Sequence, residues 1–269
     1  MTETMLVLRR LMNKLKKVCF LLLLMPLHAY TQQALVTTIE ISDVQSVYVD
    51  RPGDLYILQK KNVIKKFDIQ GKLVDELKFQ DKLTAFDPRD GARAFACFNE
   101  KCSFFSAETK QEFIIEKEFA IEPSVICSSG DHNVWVWDKA DFSLKKISPS
   151  ESKVLTEVFI DADLFKPKPE ILLMREYQNF LFILDKNVGI VVFNAIGKQI
   201  QKISEPNLTY FNFLGKEIYF KKDNKLVFYD LFDTTTREEP IDPACKYALI
   251  TDVRKYLIYE NKIDIIEIR

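Results

Sequence analysis

The chain has 269 residues, 47% hydrophobic, 29% charged and 12% aromatic, and its 38 Lys+Arg nearly balance its 39 Asp+Glu. That balance describes a globular protein and excludes a disordered chain and an integral membrane bundle. It also argues against nucleic acid as a partner, since duplex binding draws on concentrated positive charge and no basic stripe is present.

Taken from the N-terminus, Arg9, Arg10, Lys14, Lys16 and Lys17 precede the apolar run 18–27, and small or polar residues follow it. A basic segment, a greasy core and small flanks make a secretory signal. With Pro26 inside it, the run falls short of the roughly 20 apolar residues that span a bilayer. Cys19 stands before the core, where a lipoprotein acceptor would have to follow it. Residues 1–31 are read as this signal, starting at Met1 or Met12, and 32–269 as one domain. Cleavage removes five basic residues and one acidic, leaving a net charge of −5. The expected destination is the periplasm, the outer-membrane surface or the cell exterior.

Beyond residue 33, short β-branched and aromatic runs alternate with polar turns, without sustained helical periodicity. In the first unit, residues 46–49, 55–58, 63–68 and 73–79 are four expected strands. Apolar quartets like 55–58 recur at 94–97, 134–137, 181–184, 217–220 and 256–259. Their anchors Tyr56, Phe95, Trp135, Phe182, Ile218 and Leu257 are spaced 39, 40, 47, 36 and 39 residues apart. A period of about forty with four strands per unit predicts an all-β fold, a six-bladed β-propeller of four-stranded antiparallel blades. The last unit supplies only 246–250, 255–259 and 263–268, so the alternating segment 34–41 is expected to complete that blade and close the ring. Five or seven blades, or an irregular β-sandwich, are the alternatives. The aromatic runs are read as packing between blades.

In the first unit, Val49-Asp50-Arg51-Pro52-Gly53-Asp54-Leu55-Tyr56-Ile57-Leu58 leads through Asn62 to Phe67-Asp68-Ile69-Gln70-Gly71-Lys72. This resembles the NHL-type repeat of six-bladed propellers, with a fair echo in the fourth unit and weaker ones elsewhere. The resemblance implies architecture over residues 34–269 and carries no functional residues with it.

Catalytic chemistry is sparse. The seven Gly, at 53, 71, 91, 130, 189, 197 and 215, lie too far apart to form a G-x-G-x-x-G or Walker A phosphate cradle. After cleavage one His, His132, and four Cys remain, without the tight spacing of a zinc site. Cys97 and Cys102 flank an expected hairpin turn, 98–101, and are the disulfide candidate; the alternative is two half-buried thiols. Cys127 and Cys245 read as core. Asp161 and Asp163, in the long connection 160–170, are weak candidates for a hard cation, against a plain solvated loop. Ser128, Ser129, Asp131 and His132 crowd one turn but read as turn-filling residues, and Asp87, Arg89 and Asp90 as a solvated charge cluster. Both turns fall opposite the face formed by inter-blade connections and second-to-third-strand turns, where propeller function is usually expected. Asn207-Leu208-Thr209 matches a glycosylation acceptor, meaningful only in a eukaryotic secretory route. No cofactor is expected. The function expected is a non-enzymatic exported scaffold binding a protein or cell-envelope partner. The alternative is a calcium-dependent hydrolase or lactonase of six-bladed type, against which the apolar starts of the inner strands count. A sensor domain lost from a larger receptor is a third reading.

Overall fold

The structure, a computed structural model, describes residues 34–268 apart from 91, 92, 107, 166 and 167. The expected signal 1–31 and both starts lie outside the described residues. Twenty-four strands pair into six four-stranded antiparallel sheets arranged as a ring. Blade 1 holds β2 (Val44–Val49), β3 (Leu55–Gln59), β4 (Val63–Phe67) and β5 (Leu73–Lys78). Blade 2 holds β6 (Ala85–Asp87), β7 (Ala94–Phe98), β8 (Lys101–Phe105) and β9 (Lys110–Ile114). Blade 3 holds β10 (Pro123–Ser128), β11 (Val134–Asp138), β12 (Ser143–Ser148) and β13 (Lys153–Phe159). Blade 4 holds β14 (Ile171–Tyr177), β15 (Phe180–Asp185), β16 (Gly189–Phe193) and β17 (Gln199–Ile203). Blade 5 holds β18 (Asn212–Leu214), β19 (Glu217–Lys222), β20 (Lys225–Asp230) and β21 (Thr236–Pro240). Blade 6 holds β22 (Tyr247–Ile250), β23 (Arg254–Ile258), β24 (Lys262–Glu267) and, as its outer strand, β1 (Leu35–Glu40).

The recurrent apolar quartets are the second strands, and the ring explains why they do not alternate with polar residues. A radial sheet is covered on both faces, so successive side chains enter two different inter-blade cores. In β3, Leu55 and Ile57 pack against blade 6, while Tyr56 and Leu58 pack against blade 2. In β11, Val134 and Val136 face blade 2, and Trp135 and Trp137 face blade 4. The buried apolar residues fall into six clusters, one for each pair of neighbouring blades. At about 1.5–3 kcal/mol for each fully buried large side chain, these interfaces are the main stabilising layer. Outer strands such as β5 are mostly exposed.

Closure follows the expected route. β1 runs antiparallel to β24 with Thr38 opposite Asp264 and Glu40 opposite Lys262. The Ile41 amide continues the ladder to the Asn261 carbonyl, and Ile41 itself joins the core between blades 6 and 1.

Local turns account for the repeat's other letters. The Asp68 carboxylate accepts the Gln70 and Lys72 amides, and Asn194 does the same for Ile196 and Lys198 in blade 4. Gly71 and Gly197 sit in these turns at φ +83° and +77°, against neighbouring outer strands. A Cβ at Gly197 would overlap Val158 of blade 3, and one at Gly71 would lie 2.6 Å from Thr37 of β1. Cys97 and Cys102 are directly opposed across β7 and β8, and their sulfurs are bonded.

Candidate functional site

Two connected spaces run through the ring. The turns between first and second strands surround a funnel of about 870 Å³, to which all six blades contribute. It meets, at Asp87, a channel cavity of about 220 Å³ lined by the inner strands. The funnel therefore opens on the face opposite the one expected from the sequence.

Its wall is an ionic network spanning three blades. Asp87 ends the short strand β6, and Arg89 folds back over it, donating from Nε and Nη2 to both carboxylate oxygens at 2.5–2.9 Å. Arg89 Nη1 also reaches across to the Glu176 carbonyl in blade 4, and Ser128 Oγ of blade 3 donates to Asp87 at 2.6 Å. The expectation of a solvated cluster is corrected here. The Asp87 and Arg89 side chains are only 15% and 23% exposed, because their turn leans over the channel mouth. Burial works against the charged form of Asp87, but Arg89 and Ser128 outweigh it and hold its carboxyl well below the usual range.

Glu176, which the sequence did not single out, is the second organising carboxylate. It accepts from Ser129 Oγ at 2.7 Å, the Gly130 amide at 2.9 Å and Trp135 Nε1 at 2.7 Å. Lys146 lies 3.8 Å away and pairs with Asp131 at 2.7 Å. Burial opposes the Asp131 charge, yet Lys146, Ser129 and Asn133 together bring its carboxyl down to about 2. His132, held at φ +66°, meets Arg93 at 2.6 Å through Nδ1. Ser128, Ser129, Asp131 and His132 thus reach four different partners, and no hydroxyl–imidazole–carboxylate relay forms among them. Their turn does more than fill space, however, because it locks blade 3 to blades 2 and 4.

Replacing Glu176 by Ala leaves the buried Trp135 N–H, the Ser129 hydroxyl and the Gly130 amide without acceptors. A loss of roughly 2–4 kcal/mol is expected, read as a lower urea midpoint with a red-shifted tryptophan emission. A change below about 1 kcal/mol would show that Glu176 does not organise this wall.

Other predicted positions serve structure. Asp161 accepts the Asp163 amide at 2.8 Å and caps the 3-10 turn Ala162–Phe165. Among the described residues no third acidic, His or Cys side chain joins them in a cation-sized group. The long connection is not a bare solvated loop, since Phe165 is buried edge-on against Trp137, 5.9 Å between centroids, in the core between blades 3 and 4. Burial pushes the free thiols of Cys127 and Cys245 up, as suits unreactive core residues.

No family model matches the chain, and no curated protein matches it. Solved structures do. A virginiamycin B lyase from Staphylococcus aureus is 14% identical, covering 87% of this chain and 99% of its own, at a TM-score of 0.56. A BBS1N structure, solved in complex with ARL6DN, is 8% identical over 88% of this chain and 97% of its own, at 0.58. The β-propeller domain of Cps50 (Swd1) from Myceliophteria thermophila is 11% identical over 88% of this chain and 100% of its own, at 0.60. At these identities the likeness is one of fold: this chain is a six-bladed β-propeller, and its neighbours include an enzyme and a protein seen in a protein complex.

Proposed function

We propose that this protein is an exported propeller of NHL-like type that holds a protein or cell-envelope partner against its ring without catalysing a reaction. The surface for that partner is the funnel. One observation carries the reading: the two carboxylates that organise the funnel wall are spent on the protein itself, Asp87 on Arg89 and Ser128, and Glu176 on Ser129, Gly130 and Trp135. Groups bound this way are preorganised and rigid, which suits recognition. They are not free to act as a base or to gather around a calcium ion, which weighs against the hydrolase or lactonase alternative. The rim mixes Arg51 and Arg93 with Asp90 and Asp252, and alternating signs on a concave surface select a complementary protein surface by register more than by bulk charge. The basic and apolar leader 1–31 supports export, and the Asp68–Gly71 turn supports the NHL-like assignment.

Affinity capture from a cell-envelope fraction tests this. Arg51→Glu/Arg93→Glu reverses the funnel rim, and Lys60→Glu alters an exposed second-to-third-strand turn. Proteins retained by the wild type and by Lys60→Glu, and lost with the double variant, are the expected result. Retention of the same proteins by all three would remove the funnel from the account.

A further inference from the structure

The channel cavity behind the funnel holds a buried cation whose hydrogen-bond partners include no carboxylate. Arg175 lies on β14, next to Glu176, and is 8% exposed. Its guanidinium donates from Nη1 to Asn212 Oδ1 at 2.8 Å and from Nη2 to the Tyr210 hydroxyl at 3.1 Å. It also lies over the Tyr210 ring, 4.9 Å from the centroid. All of these partners are neutral. Asp87 shares the cavity wall, but its oxygens are occupied by Arg89 and Ser128. Asp87 acts on Arg175 only across the cavity, so the guanidinium has no carboxylate in direct contact. A buried charge normally has a counter-charge, because desolvating it alone is costly.

The remaining walls describe the missing partner. Val125, Leu172 and Met174 are apolar, and Tyr48 brings a phenol into the same space. Burial pushes that phenol up to about 12, so it stays a neutral hydrogen-bond donor. The cavity opens toward the inter-blade connections, where Thr84 and Thr209 are exposed and Leu172 is 39% exposed. A small molecule can therefore enter from the face opposite the funnel. A cavity of about 150 Å³ takes up benzene, so about 220 Å³ has room for a ring bearing one further group.

We propose that the channel binds a small monocarboxylate with an apolar body, its carboxylate on Arg175 and its body among Val125, Leu172 and Met174. A carboxylate gives the guanidinium the contact ion pair that its neutral partners do not. A dianion such as phosphate would bring a second negative charge toward Asp87, and a neutral amide would form no ion pair with Arg175.

Isothermal titration calorimetry with sodium benzoate, benzamide and inorganic phosphate tests the assignment on the purified chain. Benzoate is expected to bind at one site per chain, with benzamide and phosphate at least about tenfold weaker. Arg175→Gln is expected to weaken benzoate by about tenfold or more. Leu172→Trp, at the exposed mouth, leaves Arg175 untouched and keeps the proposal testable should Arg175→Gln fail to fold. It is expected to abolish benzoate binding while thermal melting shows a folded ring. Absence of benzoate binding at millimolar concentration, phosphate binding as tight as benzoate, or undiminished binding by either folded variant would overturn the proposal.

Discussion

Deleting residues 34–41 is expected to abolish the cooperative folded state and turn the protein into an aggregating one. The segment supplies the outer strand of blade 6, and its loss exposes the long edge of β24, with unpaired amides and carbonyls from Lys262 to Glu267. It also removes Ile41 and the partly buried Val36 and Ile39 from the core between blades 6 and 1. At about 1–2 kcal/mol for each lost apolar anchor and about 1 kcal/mol for each lost ladder bond, the sum reaches the 5–15 kcal/mol that holds a typical domain together. Loss of the urea transition, with soluble yield falling at the same time, is the expected readout. A soluble truncated chain with the wild-type midpoint would show that the ring does not need this closure.

The second large effect is expected at Asp138. This residue ends β11 fully buried and ties the incoming inter-blade connection to the blade. It accepts the Ile121, Glu122 and Ala140 amides at 2.7–3.1 Å and Lys145 Nζ at 2.7 Å. Asp185 has the same place in blade 4, accepting the Glu170, Asn187 and Val188 amides. Asp138→Ala strands three amides and leaves Lys145, 6% exposed, with its outer partners Asp141 and Glu157. Breaking a buried pair from one side costs roughly 3–5 kcal/mol. For a chain of this size that corresponds to a melting point lower by about 6–20 °C.

The pH dependence carries a definite sign. Burial opposes the Asp138 charge, but Lys145 and the backbone amides prevail and the carboxyl's pKa is lowered. A lowered folded pKa gives stability that is complete above the unfolded value and lost as pH falls through the folded one. The gap between wild type and Asp138→Ala is therefore expected to be full at neutral pH and to shrink below about pH 4. A gap that widens in acid would contradict the assignment.

How far the sequence carries the structure depends on the distance over which each feature is encoded. The blades are local: a second strand such as Val134–Asp138 and its flanking turns lie within one unit, so spacing reveals them. Opposition of Cys97 to Cys102 is also local, fixed by the two-residue turn Asn99-Glu100. Closure by β1 could be inferred because a four-strand unit with three strands leaves one demand and one unassigned segment. The funnel is different. Arg89 and the Glu176 carbonyl are 87 residues apart, and Glu176 and Ser129 are 47 apart. Such contacts arise only when the ring sets the same turn of successive blades side by side, and no linear pattern announces them. The available hint was the charged pair Arg175-Glu176 closing an otherwise apolar inner strand. Phe165 was hidden for a related reason, since a lone aromatic in a polar connection shows no periodicity.

Scanning calorimetry of chelator-treated protein, with and without millimolar calcium, tests the central claim that the funnel is a recognition surface whose wall carboxylates, Asp87 and Glu176, already have their partners. An unchanged midpoint is the prediction. Occupancy at one hundred times the dissociation constant would add about 2.7 kcal/mol, or roughly 5–10 °C for a chain of this length. A rise of that size would contradict the account and favour the calcium-dependent hydrolase.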